Sequence, residues 1–516
     1  MAIYNTSTQR KPEMVENHQG GMGYKLNPKH ELISLMVGGG FENTYYEKLG
    51  DRETRFANLI DELAKTDLEF LAKAMVYVRS VVGQRTVTHF GSTVLVKHLS
   101  GTDLGRRFFS KRSRKGNSGG IIYRLDDMLE IVACYMALNP NKPLPNSMKK
   151  GFKAALEAAD TYELAKYQAK SKGVSLVDVV NLVHPKPSAE MKQTFEKLMK
   201  GELKQFNTVE DKNTEAGKVV AAKVKSGEIT KAEADVQLKE AKEENYKELI
   251  ETKTIGYLAL LRNLRNILKN SNDTTLIDNA CGLLTDEVFI RKSLVFPHQI
   301  DLALEVLLGE FPASNTGMRK VITALNKAYE LSIPNLTELF TSGRTAIVYD
   351  TSGSMSSSIQ LGGGKRGSAS ALEKATLIAA TLAKGINADV YQFADRCVSV
   401  NYNPLDSVNT IKNHFYSERG KAGGGTYFNS IFSTIGSKYD RVFVISDEQG
   451  ATTLEKTAYK NMHVYSINLC GYGTTMFKPG SKVYGIFGYG SDIYELVKKV
   501  EINPNVLIDE INKIEI

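Results

Sequence analysis

The sequence has few cysteines and no long hydrophobic run, and each shortage excludes a class of protein. Its four cysteines, Cys134, Cys281, Cys397 and Cys470, lie far apart and form no CxxC pair. That spacing argues against a disulfide framework and against structural zinc. Scattered thiols fit a reducing, cytoplasmic compartment. No run of about 18 apolar residues occurs, so no membrane span is predicted. The opening "MAIYNTSTQRKPEMVENHQGGMGYKL" lacks the apolar core of a secretory signal and reads, over residues 1–35, as a flexible arm. The formal net charge is only +8 over 516 residues. Such a bias means little when spread evenly; clustered, it points to a polyanion.

A chain of this length exceeds what one hydrophobic core supports, so two or more domains are expected. Residues 36–341 read as helical. In "DRETRFANLIDELAKTDLEFLAKAMVYVRSVV", Phe56, Leu59, Ile60 and Leu63 recur at helical spacing. Thr66-Asp67 then offers a cap, and Leu68, Leu71, Ala72 and Met75 form a second apolar stripe. Further helices are predicted over 121–137, 147–157, 161–170, 175–183, 190–200, 254–269, 275–282, 298–307, 316–329 and 335–340. Many short helices joined by short turns fit a stacked solenoid, and an ordinary globular helical domain would look similar. Residues 201–252 are rich in Lys, Glu and Ala and poor in apolar residues. They read as a solvated, charge-laced helical pair, with a partner-docking arm as the sharper alternative.

From residue 342 the texture changes. "TAIVYD", "ADVYQFAD", "CVSVNY", "RVFVISDEQG", "HVYSINLCG" and "KVYGIFGYG" read as strands, and "SASALEKATLIAATLAKGI", "NTIKNHFYS" and "DIYELVKKV" as helices. Alternation of this kind predicts a doubly wound, mostly parallel α/β sheet over 342–516. Ligands bind such sheets at the carboxyl ends of their strands.

One strand end stands out. In "IVYDTSGSMSSS", Asp350 closes an apolar strand, and Ser352 and Ser354 follow in a tight turn. Three hard oxygens with no His or Cys suit Mg²⁺, Mn²⁺ or Ca²⁺ rather than zinc. Thr426, after the glycine run of "GKAGGGTYFNS", and Asp447, at the end of "VFVISD", can reach the same edge. Together the five residues resemble the metal-ion-dependent adhesion site of von Willebrand factor A domains. The competing reading is a serine-rich turn capping the next helix. Ser352 is not in a G-x-S-x-G elbow, and "LGGGKRGS" lacks the spacing of a phosphate loop. No catalytic residue is therefore assigned.

The order of a helical region and then an A domain, together with four motifs, resembles the TROVE-domain family, the Ro autoantigen proteins and their bacterial relatives. The motifs are "GGGFENTYYEKLGDRETR", "VSLVDVVNLVHPKPS", "TIGYLALLRNLRNI" and "FPHQIDLALEV". They run from about residue 36 onward and leave the 201–252 insert unexplained. The resemblance implies a mainly α protein, a HEAT-like helical-repeat ring completed by the A domain and working as a monomer. It implies a noncoding, Y-type RNA on the outer surface and 3′ ends of misfolded RNA in the central hole. It implies no catalytic activity of its own, and in bacteria a possible exoribonuclease partner. The family's Y-RNA positions map onto Lys166, Lys170 and His184. The family usually carries Arg at the second of these, and the spacing to His184 is one residue longer here, so Lys172 is an alternative. Lysine supplies a point charge without the planar fork of arginine.

A second basic cluster, "GRRFFSKRSRKGNSGG", holds Arg106, Arg107, Lys111 and Arg112, with Phe108 and Phe109 between them. Cations for phosphate and planes for stacking suit single-stranded RNA. A solvated loop with the phenylalanines tucked into the core is the plain alternative. Two rival functions share the metal site without needing the basic half. One is an A-domain scaffold or adhesion module that binds a partner's carboxylate; the other is a chelatase-like subunit with a motor partner.

Overall fold

The protein is described from a computed structural model. It describes residues 12–38, 41–113, 118–168, 171–203, 209–271, 273–293, 295, 297–312, 314–332, 343–360, 368–386, 388–490 and 492–516. The chain divides into two compact units. One comprises Met1–Glu202, Asn335–Asp406 and Thr410–Ile516; the other comprises Leu203–Pro334 with Ser407–Asn409.

The first unit begins with helices and a small sheet. Leu49–Thr66 and Leu68–Tyr77 form the expected hairpin, with Phe56, Leu59, Ile60, Leu63, Leu71 and Met75 buried. The Asp67 carboxylate accepts from the Phe70 backbone amide at 3.1 Å and so caps the second helix. Thr86–Leu99, Leu125–Leu138, Asn146–Glu157, Thr161–Lys166, Leu176–Val183 and Lys192–Lys200 follow. Part of the stretch that reads as a flexible arm is built into the fold. Strands β1 (Met14–Glu16) and β2 (Met22–Lys25) pair antiparallel, and Tyr24 and Leu26 are buried.

A buried charge network ties the helices together. Asp127 is fully buried, and its carboxylate accepts from Arg79 Nε at 3.1 Å and Arg79 Nη2 at 2.9 Å. It also accepts from the Tyr123 and Arg124 amides at 3.1 and 2.8 Å and faces His89 Nε2 at 3.0 Å. His89 Nδ1 faces Glu130 at 2.9 Å, and Arg85 pairs with both Asp127 and Glu130. Burial alone would raise the Asp127 and Glu130 pKa values. The hydrogen bonds from His89 and the neighbouring arginine charges outweigh it, holding Asp127 well below the carboxylate range and Glu130 at about 2.

The carboxyl-terminal half of this unit carries a six-stranded sheet. Its strands are β3 (Thr345–Asp350), β4 (Asp389–Phe393), β5 (Cys397–Val400), β6 (Arg441–Ser446), β7 (His463–Asn468) and β9 (Val483–Phe487), in the order β9-β7-β6-β3-β4-β5. All pairings are parallel except that of β5, which runs antiparallel at one edge. The central strand β3 is buried at every position, which explains its unbroken apolar texture. The two-residue strand β8 (Thr474–Thr475) lies outside this sheet and pairs antiparallel with β2. The last residues return to the helices. Glu515 O accepts from Gly119 N at 2.9 Å and Arg112 Nη1 at 3.1 Å, and Lys73 Nζ donates to Asn512 O at 3.1 Å.

The second unit is helical. Val209–Ser226 and Lys231–Glu251 pack along each other, so the charged insert is the helical pair its composition predicts. The pair is not wholly solvated. Tyr246, Leu249 and Ile250 are buried, and the Tyr246 hydroxyl donates to Asn263 Oδ1 of the next helix at 3.0 Å. Tyr257–Asn270, Thr274–Leu284, Glu287–Ser293, Pro297–Glu310 and Thr316–Ser332 complete the described part. The helix expected over 335–340 lies outside the described residues.

Candidate functional site

The metal-type residues converge because two neighbouring parallel strands end side by side. β3 pairs with β6 up to Tyr349 and Ile445, so Asp350 and Asp447 leave the sheet at one carboxyl edge. The Ser352 amide folds back to Asp350 Oδ1 at 2.8 Å, which turns the chain and leaves the Ser352 and Ser354 hydroxyls 3.3 Å apart. Gly353 N donates to Gly424 O at 3.1 Å, joining this turn to the glycine loop that carries Thr426. That loop is fixed by Asp395, whose carboxylate accepts from Gly424 N and Gly425 N at 2.9 Å each. A Cβ on Gly423 or Gly425 would lie 2.0 or 2.4 Å from those carboxylate oxygens, so only glycine admits the contact.

Asp350, Ser352, Ser354, Thr426 and Asp447 are all buried, each at 3% exposure or less. Among the described residues, Asp350 Oδ2 and Asp447 Oδ2 have no hydrogen-bond partner. Burial, reinforced by the Asp447 charge, pushes the Asp350 carboxyl well above the usual range. Burial also lifts Asp447 to about 6, against a hydrogen bond from Ser354. Two buried carboxylates with orphaned oxygens, ringed by hydroxyls, form a hard-oxygen donor set that lacks a positive charge. A divalent cation fits that set. No group of three His, Cys, Asp or Glu side chains fit to hold a metal occurs among the described residues, so a cation at this edge would need the hydroxyls as ligands beside the two aspartates.

Three further residues border the site without any signal in the motif. They are Asp395, Tyr46, which hydrogen-bonds with Ser354, and Gln19, whose Nε2 lies 3.5 Å from Thr426 Oγ1. No spacing rule could have found them, since Gln19 and Thr426 are 407 residues apart.

The basic residues divide into exposed and internal. Lys166 is exposed at the end of its helix, with Nζ 5.3 and 5.6 Å from the Tyr162 and Tyr167 ring centroids. Lys172 is exposed at φ 50° in the next turn, with Nζ 3.7 Å from Glu130. His184 is exposed and caps Leu176–Val183 in the left-handed region at φ 48°. Lys170 lies outside the described residues. In the second cluster, Arg106 and Arg107 are exposed and both pair with Asp103. Lys111 pairs with Glu163 and donates to Ala158 O at 3.0 Å. Arg112 is 3% exposed and donates to the Gly119 and Glu515 carbonyls. Phe108 and Phe109 are fully buried, in edge contact with each other. Arg112 and the two phenylalanines thus serve the interior and Lys111 is half-buried in an ion pair, so the stacking surface read from "GRRFFSKR" is corrected: neither ring is open to a base.

Compared with solved structures, the chain matches the Deinococcus radiodurans Ro (RSR) protein at a TM-score of 0.58 and 17% identity, covering 92% of this chain and 100% of that one. The fold is that of a Ro protein. Helices followed by an A-type sheet, read from the sequence as a TROVE-family resemblance, have the order of the Ro fold. No family model matches the chain, and no curated protein is significantly similar to it in sequence. The Ro fold here carries no helix, among the described residues, long and apolar enough to cross a membrane.

Proposed function

We propose that this protein is a Ro-type RNA-binding protein, without catalytic activity of its own, that works in RNA quality control or as a ribonucleoprotein. The observation that carries this reading is the Ro fold over 92% of the chain, joined to an exposed basic series on successive elements. Lys166, Lys172, His184 and Lys186 are all exposed between residues 161 and 186. This surface would hold a small structured RNA of the Y type through its phosphates. Single-stranded 3′ ends of misfolded RNA are the second substrate class, and an exoribonuclease is the partner class such a carrier would serve in the cytoplasm. Asp350, Ser352, Ser354, Thr426 and Asp447 would hold a divalent cation, Mg²⁺ by the hardness of the donors, with Mn²⁺ or Ca²⁺ as substitutes. When bound, the ion supplies the positive charge that the two aspartates lack.

Filter binding with a small structured RNA tests the reading. Affinity should be measurable at about 50 mM salt and should fall steeply by about 300 mM, because neutralised phosphates release counterions. Absence of binding at the lower salt refutes the function. Undiminished binding after replacement of Lys166, Lys172 and His184 refutes only the surface.

A further inference from the structure

We propose that the turn Asn17–Gly21, together with Tyr46, is a built-in lid over the metal edge, which an external anionic oxygen ligand must displace. The proposal rests on the metal reading above. Its first support is closure: all five ligand residues are buried, although they lie at the sheet edge where ligands enter folds of this kind. The elements that close the site come from outside the sheet. Gln19 Nε2 reaches both Thr426 Oγ1, at 3.5 Å, and the Tyr46 hydroxyl, at 2.5 Å. Tyr46 hydrogen-bonds in turn with Ser354, and Tyr45 N donates to Ser357 Oγ at 2.9 Å. The His18 ring stacks on Tyr46 with centroids 5.2 Å apart and meets Tyr472 edge-on.

The turn is anchored at its base and open at its tip. His18 N donates to Gln449 Oε1 at 3.0 Å, and Gly21 N donates to Gly450 O at 3.1 Å. These are neutral hydrogen bonds from a turn whose tip, His18 and Gly20, is exposed, to the buried Gln449 and Gly450, with Asn17 and Gly21 buried at its base. Among the described residues no ion pair holds the tip, so the tip rather than the base is the part that an incoming ligand lifts. Gln19 presents a neutral amide to the site, whereas a divalent cation favours anionic oxygen. A carboxylate or phosphate would therefore compete with the turn for the open face of the ion. Gly21 offers a second handle, at the base of the turn against the segment that follows Asp447. A Cβ there would lie 2.3 Å from Gly450 O and 2.9 Å from Thr452 N, so alanine prevents the turn from seating.

The full chain loaded with Mn²⁺ allows a direct test, because water-proton relaxation reports water reaching the ion. In the parent protein, relaxation enhancement should be low and unchanged by acetate or inorganic phosphate. In Gln19→Ala and in Gly21→Ala it should be about twofold or more higher, as displaced waters return to the ion. Acetate or phosphate should then lower it again, and the two arms separate carboxylate from phosphate preference. Equal enhancement in the parent and both variants, with Mn²⁺ bound to each by equilibrium dialysis, overturns the lid alone. Absence of bound Mn²⁺ in all three overturns the metal reading and the lid with it.

Discussion

Replacing Asp127 with asparagine keeps the shape of the side chain and removes one buried charge. The carboxylate is fully buried and serves Arg79 through two guanidinium nitrogens. Arg79 is itself 4% exposed, so the substitution leaves a guanidinium buried without its counter-charge. Breaking such a pair costs about 3–5 kcal/mol, far more than the pair contributes beyond an apolar replacement. Both the Tyr123 and Arg124 amides donate to Oδ2, so an asparagine carbonyl there can still accept from both, which places the expectation toward the lower end, about 3 kcal/mol. Urea unfolding followed by circular dichroism, with hydrogen exchange read over Leu68–Tyr77 and Leu125–Leu138, measures the loss. The pH profile gives a second readout. Asp127 and Glu130 have folded pKa values below their unfolded ones, so their contribution is present above the ordinary carboxylate range. It is lost as pH falls through that range, toward about 2 for Glu130. The parent should therefore lose stability over that acid range, and Asp127→Asn should lose less of it. Asp103→Asn, at a fully exposed ion pair, should change nothing measurable. A loss below about 1 kcal/mol for Asp127→Asn, or an unchanged acid profile, would refute the reasoning.

The remaining expectations concern the two candidate sites. Mg²⁺ should raise the melting temperature, EDTA should reverse the rise, and Asp350→Ala should abolish the response; at a hundredfold excess over Kd the gain is about 2.7 kcal/mol. Asp395→Ala frees the glycine loop carrying Thr426, and metal affinity measured by calorimetry should fall about 10- to 100-fold without loss of the fold. Arg112→Ala should lower the melting temperature and leave RNA affinity per folded molecule unchanged. Lys166→Ala should do the reverse, weakening RNA in filter binding with no shift in the melt.

Much of this was legible from residue order because the signals are local. Strands β3, β6, β7 and β9 are short apolar runs ending in turn residues, and buried parallel strands leave just that trace. Asp350, Ser352 and Ser354 share one turn, so their spacing alone marks them. What stayed hidden depends on partners far away in the chain. Arg112 looks like one cation in a basic string until the Glu515 carbonyl is placed against it, 403 residues later. Residues 12–26 look like an arm until Thr474 and Thr475 pair with them. The helix Asp103–Phe108 escaped notice because it is six residues long, too short for an apolar period, though Thr102 caps it at Gly105 N, 3.0 Å away.

The contact between Gly119 and Glu515 also sets a timetable for biosynthesis. A ribosome adds roughly 5–20 residues per second, so Arg112 is made roughly 20–80 s before the Glu515 carbonyl that it and Gly119 share. Throughout that interval the Arg112 guanidinium has the nearby Gly119 carbonyl, while the Gly119 amide awaits its partner at Glu515. Those hydrogen bonds close only after the residues around Glu515 have been made, so the helical half cannot complete its own hydrogen bonding as it emerges.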